Sequence, residues 1–181
     1  ECASGLVIRN SHTVNQVKDT DVVIIGAIGR PDGAIVVKPS TISWLRQQYD
    51  HGSMLVSICT GAFVLAETGL LDGKKATTHW ACEREFKALY PKVDLRIDDM
   101  FTEDGFLYCS AGASAYQDMS FRLVGKFFGD DIARLCAKAL LFDQDRNGQY
   151  RYSSFTPMRE HKDELIHTLQ DWIGDNFTKR F

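Results

Sequence analysis

The chain has 181 residues, of which 44% are hydrophobic and 25% are charged, and its formal net charge is −3. This length and composition fit a globular domain with a sizeable core and a short additional segment. The slight acidic balance argues against nucleic-acid binding by this chain alone, because such proteins normally carry a basic surplus. The sequence has no run of about 18 apolar residues, so it predicts no membrane-spanning helix.

The cysteines are scattered and do not show the paired spacing of a zinc site or of a disulfide framework. They are Cys2, Cys59, Cys82, Cys109 and Cys136. We therefore expect reduced thiols in a cytoplasmic protein. The chain also lacks a glycine-rich phosphate loop and an HExxH motif, so the sequence predicts no metal and no cofactor.

The first part of the chain predicts alternating strands and helices. Residues 5–8 have the composition of a strand already in progress, without a starting Met, so we expect the chain to begin inside a longer protein. Residues 21–25 form an apolar run typical of a strand buried on both faces of a parallel sheet, and residues 26–29 follow as a turn. Ser40 or Thr41 is suited to cap the next predicted helix.

The stretch from Met54 to Trp80 carries the strongest functional pattern. A predicted strand over residues 54–58 leads directly to Cys59, and a short helix follows that Gly69 ends. A cysteine at a strand-to-helix turn lies where the helix amides converge, and their partial positive charge favours a thiolate. This arrangement follows the logic of the nucleophile elbow, with cysteine in place of serine.

His79 follows a second turn and a short predicted strand over residues 76–78. If that strand paired in parallel with the strand at residues 54–58, His79 would reach the same sheet edge as Cys59. The two side chains are therefore the candidate reactive pair.

Further elements are a helix over residues 80–90, a strand over 93–97, a hairpin over 100–109 turning at 103–105, and helices starting at Tyr116 and Asp130. Residues 109–114 are small and form a second loop before a helix. Asp118 lies near the start of that helix, where the helix dipole favours an acidic side chain, so a structural role is the simpler interpretation.

The last part of the chain changes character. Residues 143–157 are polar and predict a connector. Residues 161–177 then carry apolar side chains at helical offsets, which predict one helix with a single apolar stripe. This helix is either the start of a further domain or a terminal helix that docks on the sheet.

Residues 59–80, CTGAFVLAETGLLDGKKATTHW, resemble the ThiJ/PfpI superfamily of class I glutamine amidotransferase-like domains. The resemblance is greatest to the version that forms the N-terminal half of many AraC-type bacterial transcription regulators. Residues 110–118, SAGASAYQD, resemble the second signature of this family, a loop that closes over the cysteine pocket. Residues 161–177 resemble the first helix of the AraC-type DNA-binding domain.

The resemblance implies an α/β fold of the flavodoxin-like, doubly wound type. Its mostly parallel sheet has helices on both faces, and a C-terminal helical appendage follows. It also implies two domains, a ThiJ/PfpI-like sensor at residues 1–150 and a linker with the first helix of a helix-turn-helix domain at residues 151–181. Under this interpretation the chain is truncated at both ends.

The first functional hypothesis is the effector-sensing and dimerising half of a DNA-binding transcription regulator, not an enzyme. DNA would be bound by a domain beyond Phe181, and the resemblance further implies a homodimer. The effector would be a small metabolite, in some relatives amino-acid-like or a quaternary amine. The expected ligand-binding residues are Gly26, Ala27, Cys59, Thr60, His79, Ser110, Ala111 and Gly112.

The second hypothesis is a cysteine-dependent enzyme such as an isocyanide hydratase, an amidase or a glyoxalase-like hydrolase. Cys59 would be the nucleophile, His79 would handle the proton, and amides near Ala27 and Thr60 would stabilise an oxyanion. Ala27 stands where the resembled enzymes usually keep a glycine, so this turn either faces the ligand or is an ordinary strand-to-loop turn. A third possibility is oxidant sensing through a sulfenic acid at Cys59.

Overall fold

The computed structural model describes residues 7, 9–29, 36–144, 146–153 and 163–177. The chain divides into two compact units, Glu1–Arg151 and Tyr152–Phe181. No helix in these described ranges is long and apolar enough to cross a membrane. The strand predicted at residues 5–8 lies outside the described residues.

The strands are β1 (Val22–Ile25), β2 (Met54–Ile58), β3 (Lys75–Ala76), β4 (Asp94–Leu95), β5 (Phe101–Asp104) and β6 (Leu107–Ser110). The α-helices are α1 (Pro39–Asp50), α2 (Gly61–Glu67), α3 (Glu83–Leu89), α4 (Ala115–Phe128), α5 (Asp130–Ala139) and α6 (Glu164–Asn176). Three-residue 3₁₀ turns occur at Val14–Gln16, Trp80–Cys82 and Tyr150–Tyr152.

The larger sheet has the strand order β1-β2-β6-β5. β1, β2 and β6 are parallel, and β5 pairs antiparallel with β6 through the hairpin turn. In this register Ile25 lies beside Ser57, and Ile58 lies beside Ser110. The carboxyl ends of three parallel strands therefore meet at one edge, which is where α/β proteins place their sites.

Helices cover both faces of this sheet, as the doubly wound prediction required. On one face, Leu55 and Leu107 pack with Phe63 of α2 and Phe86 of α3 in a buried cluster. On the other face, Val56 and Tyr108 pack with Met119 of α4. Complete burial of large apolar side chains of this kind contributes about 1.5–3 kcal/mol each.

Two predictions about the first elements need correction. β1 is not buried on both faces, because Ile24 is 63% exposed at an edge of the described sheet. α1 begins at Pro39, preceded by the extended Lys38, instead of being capped by Ser40 or Thr41. Proline is well suited to the first helical position because the amide that it lacks would have no helical partner there.

The prediction that the strand before His79 pairs with β2 is wrong. β3 pairs in parallel with β4 in a separate two-stranded sheet. The helix predicted over residues 80–90 is also divided, into the 3₁₀ turn Trp80–Cys82 and α3. In α5 the buried side chains are Ala133 and Ala137.

The second unit contains α6, which is shorter than predicted. It starts after Asp163, whose carboxylate accepts hydrogen bonds from the backbone N–H groups of Leu165 (3.1 Å) and Ile166 (3.2 Å). This is a well-formed N-cap, worth about 1 kcal/mol. His161, where the predicted helix began, lies outside the described residues.

Candidate functional site

Cys59 lies on a sharp turn between β2 and α2, and its φ of 54° is in the left-handed region. A side chain in this region costs about 1–2 kcal/mol, so the surrounding structure must hold it. The Cys59 N–H donates to the Ser110 carbonyl (3.0 Å), and the Thr78 hydroxyl donates to the Cys59 carbonyl (3.0 Å). Such held strain is typical of functional turns. The thiol itself is partly exposed.

Gly61 brings the end of β1 against this elbow. A Cβ at Gly61 would lie 2.4 Å from the Ile25 carbonyl oxygen and 2.8 Å from that of Gly26. Only glycine fits so close to a neighbouring backbone. The turn after β1 is also tied to the elbow by the Ile28 N–H, which donates to the Thr60 hydroxyl (3.0 Å).

His79 reaches the site through loop contacts, since its strand is not part of the main sheet. Its Nδ1 accepts a hydrogen bond from the Ala81 N–H (3.1 Å). The other edge of the ring lies against Gly112, where an added Cβ would be 2.1 Å from His79 Cδ2 and 2.8 Å from Nε2. Because Nδ1 is an acceptor here, the neutral ring carries its proton on Nε2.

The small-residue loop after β6 forms the third side of the site. Ser110 and Ala111 are fully buried, whereas Ala113 is exposed and has a φ of 38°. In the described part of the chain, the Ser110 hydroxyl has no hydrogen-bond partner. The absence of side-chain bulk at Gly112 is what admits the His79 ring.

The predicted site residues are thus brought together in three groups. Cys59 and Ser110 are linked by a hydrogen bond, Thr60 follows Cys59 and accepts from the Ile28 N–H, and His79 and Gly112 are in contact. Gly26 and Ala27 lie in the exposed turn that Ile28 joins to Thr60, and Ala111 is buried beside Ser110. Their role in ligand binding stays a prediction.

Two residues that sequence reasoning missed contact the same segments. Arg146 donates to the Ser114 hydroxyl (2.8 Å) and carbonyl (3.0 Å) and pairs with the Asp118 carboxylate. Gln149, only 3% exposed, donates to the Thr78 carbonyl (2.8 Å). Polar residues in a polar connector carry no periodic signal, so nothing in the sequence alone marks these two.

A cavity of about 210 Å³ lies between α4, α5 and the connector, away from the elbow. Three of the four charged side chains that line it form ion pairs: Arg122 with Glu103, Arg134 with Asp131, and Asp118 with Arg146. This cavity therefore presents no unpaired charge among these groups to a ligand. Within the described ranges, no cluster of three or more His, Cys, Asp or Glu side chains could hold a metal ion.

The thiol of Cys109, one residue before Ser110, is chemically different from that of Cys59. It is fully buried on β6, and burial raises its pKa although the hydroxyl of Ser57 stabilises the thiolate. A neutral, inaccessible thiol is unreactive. Of the two neighbouring cysteines, only Cys59 is open to a ligand or a reagent.

Comparison with known proteins relates this geometry to a family. A family model described as the DJ-1/PfpI family matches residues 1–126. The HTH-type transcriptional regulator CdhR of Pseudomonas aeruginosa is 32% identical over 131 residues, which cover 72% of this chain and 38% of that protein. The isonitrile hydratase of Pseudomonas putida is 31% identical over 134 residues, covering 74% of this chain and 57% of the enzyme.

A solved structure of similar fold is that of a putative transcriptional regulator protein from Vibrio parahaemolyticus. It superimposes with a TM-score of 0.70 at 29% sequence identity and covers 76% of this chain and 73% of that one. The chain spans about two fifths of the length of the curated regulator that it matches. The predicted family resemblance and the predicted flavodoxin-like α/β fold are both confirmed.

Proposed function

The chain belongs to the DJ-1/PfpI family, and we propose that it is the effector-sensing and dimerising domain of an AraC-type transcription regulator. Its relatives include HTH-type transcriptional regulators. A small metabolite would bind at the carboxyl edge of the main sheet, beside Cys59. Binding would change how attached DNA-binding domains are presented, in a cytoplasmic homodimer.

The observation that favours sensing over catalysis is the hydrogen bond at His79. Its Nδ1 accepts from the Ala81 N–H, so the proton of the neutral ring is on Nε2. With Nδ1 occupied and the proton on Nε2, the neutral ring has no nitrogen available to take a proton from the Cys59 thiol. This counts against general-base chemistry at His79.

The turn after β1 supports the same choice. An oxyanion hole needs amides that are available to the developing negative charge. The Ile28 N–H, next to Ala27, already donates to the Thr60 hydroxyl at 3.0 Å. This amide is therefore occupied within the elbow, which favours a ligand-facing or structural turn over an oxyanion donor.

The proposed ligand contacts are the Cys59 thiol, the His79 ring and the small-residue loop at 110–112. Thr60, Gly26 and Ala27 would form the opposite side. A partly exposed thiol bordered by small residues suits a small polar metabolite.

Binding can be tested by thermal denaturation of the chain with a panel of small polar metabolites. A ligand present at 100 times its Kd stabilises a protein by about 2.7 kcal/mol, which raises Tm by several degrees. Cys59→Ser should reduce that rise, and Cys136→Ser on α5 is the matched control. A panel hit whose stabilisation is equal in both variants would contradict the proposed site.

The regulator assignment and the oligomeric state have separate tests. The coding sequence downstream of Phe181 should continue into a helix-turn-helix domain, and a stop codon there would contradict the regulator. Light scattering of the purified chain should give the mass of a dimer, and a monomer at all concentrations would contradict dimerisation through this domain.

A cysteine-dependent enzyme is the second candidate, favoured by the strained φ of Cys59 and by the similarity to an isonitrile hydratase. Iodoacetamide distinguishes the two, because a working nucleophile would be alkylated far faster than Cys136, which is also partly exposed. Similar, slow labelling of the two thiols supports sensing. It would also count against oxidation of Cys59 to a sulfenic acid as the signal.

A further inference from the structure

We infer that Arg146 and Gln149 are positioning residues that fasten the connector to both segments flanking Cys59, so that a change at the site is transmitted to the connector. This inference rests on the proposed sensor function. It assigns to the described part of the connector (residues 143–144 and 146–153) a role as the reporter of site occupancy.

Arg146 holds the segment that follows the small-residue loop. Its guanidinium binds both the hydroxyl and the carbonyl of Ser114 and forms an ion pair with Asp118. The side chains of this pair are 16% and 7% exposed, so solvent screens them weakly. Because the guanidinium is planar, its simultaneous hydrogen bonds to a carboxylate and to a backbone carbonyl fix the orientation of the Arg146 side chain as well as its distance from both groups. Ser114, two residues after Gly112 and directly before α4, is thereby tied to the connector.

Gln149 holds the other segment. Its carboxamide donates to the carbonyls of Thr78 (2.8 Å) and Ile97 and accepts from the Trp80 N–H (3.0 Å). Thr78 and Trp80 are the two neighbours of His79 in the chain. One buried side chain therefore fixes the backbone on both sides of the histidine.

Backbone amides of the connector also bind Asp98, the residue that follows Ile97. The Gln149 N–H donates to the Asp98 carbonyl (2.7 Å), and the Tyr150 N–H donates to the Asp98 carboxylate (2.8 Å). Gly148 has a φ of 71°, and a Cβ there would lie 2.6 Å from an Asp98 carboxylate oxygen. The chain reaches Asp98 at this point only because residue 148 is glycine.

Both fastened segments also contact Cys59 directly. The Thr78 hydroxyl binds its carbonyl and the Ser110 carbonyl binds its N–H, each at 3.0 Å. A ligand that moves either segment must therefore strain the hydrogen bonds of Arg146 or Gln149. By reciprocity, loosening the connector must alter the surroundings of Cys59.

The first test measures iodoacetamide labelling of Cys59 relative to Cys136 in the folded 181-residue chain, by mass spectrometry. In Arg146→Gln and Gln149→Glu the ratio should rise by about 5-fold or more, the lower range of allosteric coupling. Gln149→Glu keeps the volume but removes the hydrogen bonds that the amide nitrogen donates to Thr77, Thr78 and Ile97. Arg134→Gln, which removes an exposed arginine of the same domain, should leave the ratio unchanged.

Two readouts separate positioning from general loss of structure. Arg146→Lys keeps the charge opposite Asp118 but lacks the planar guanidinium, so the labelling ratio of Cys59 to Cys136 should be intermediate. Cys109 should stay unlabelled in every variant, because it becomes accessible only when the sheet opens. Unchanged ratios in both Arg146→Gln and Gln149→Glu with Cys109 protected would overturn the inference.

The second test needs no variant, so a variant that fails to fold does not leave the inference open. After alkylation of Cys59 in the wild-type chain, hydrogen exchange at the amides of Gln149 and Tyr150 should accelerate by about 5-fold or more. The amides of α1 should exchange as before. Unchanged exchange at Gln149 and Tyr150 would overturn the inference.

Neither arm uses an effector, so the outcome is independent of the metabolite screen. Coupling without any metabolite hit would contradict the sensor function but leave the mechanical junction in place. A metabolite hit with unchanged exchange at the amides of Gln149 and Tyr150 would support the sensor function and overturn the role of the connector.

Discussion

Gly112→Ala tests whether the small-residue loop is shaped to receive His79. The added Cβ would lie 2.1 Å from His79 Cδ2, 2.8 Å from Nε2 and 2.9 Å from Cγ. Carbon atoms in normal contact are about 3.5–4.0 Å apart, so the ring or the loop must move by roughly 1.5 Å. Gly112 does not have a left-handed φ, so the clash is the main cost. Overpacking of this kind costs about 1–3 kcal/mol.

For a chain of this size, each kcal/mol lowers Tm by about 2–4 °C. We therefore expect Tm to fall by roughly 4–8 °C for a cost of about 2 kcal/mol, measured by circular dichroism during heating. The matched background is His79→Ala, in which the ring is absent. There the same glycine substitution should cost less than about 0.5 kcal/mol, since the two residues are coupled. An equal loss of Tm in both backgrounds would refute the contact.

Gly61→Ala should lower the free energy of unfolding by about 2 kcal/mol or more in urea titrations, because its Cβ meets backbone carbonyls that cannot rotate away. Gly26→Ala, with open space around the added methyl, is the control and should cost much less. Burial alone would raise the pKa of Glu103, but hydrogen bonds from Arg122 and nearby charges hold it below its ordinary value of 4.5. Glu103 therefore adds stability above pH 4.5, and this stability is lost as the pH falls from 4.5 through the lower pKa of the folded state. In Glu103→Gln the urea midpoint should change less with pH over that range. Cys109, whose pKa burial raises, should react with iodoacetamide only after unfolding in urea, and labelling in the native chain would contradict its burial.

The elements that the sequence predicted best are those with a continuous apolar run and a glycine at the end. β2 has the predicted bounds Met54–Ile58, and Gly69, with a φ of 73°, follows α2. The hairpin turn also lies where it was predicted, with Gly105 at a φ of 65°. In each case the local chemistry allows few alternatives, so short-range reasoning is sufficient.

The strand pairing that was expected to bring His79 to the sheet edge of Cys59 is wrong. Two-residue strands such as β3 bury too little to specify a partner by pattern alone, and β3 pairs with β4 instead of β2. The histidine is placed by the Thr78 hydroxyl, which binds the Cys59 carbonyl, and by the missing side chain at Gly112. Such contacts between distant loops leave no periodic trace in the sequence.

The connector shows the same limit. Gln149 lies in the polar segment that predicted a connector, yet it is only 3% exposed and binds backbone groups on both sides of His79. A buried carboxamide is stable there because each of its polar atoms has a partner. Composition reports the average polarity of a segment and cannot show which of its polar side chains is buried.

The same contacts explain why a nucleophile elbow can serve recognition. The Ile28 amide is occupied by the Thr60 hydroxyl, and the acceptor nitrogen of His79 is occupied by the Ala81 amide. A cysteine enzyme needs both kinds of group free, one to stabilise negative charge and one to accept a proton. What faces a ligand is the partly exposed thiol of Cys59. Under the proposed sensor function this thiol would contact the metabolite, and the strained turn that presents it is held by the segments to which Arg146 and Gln149 fasten the connector.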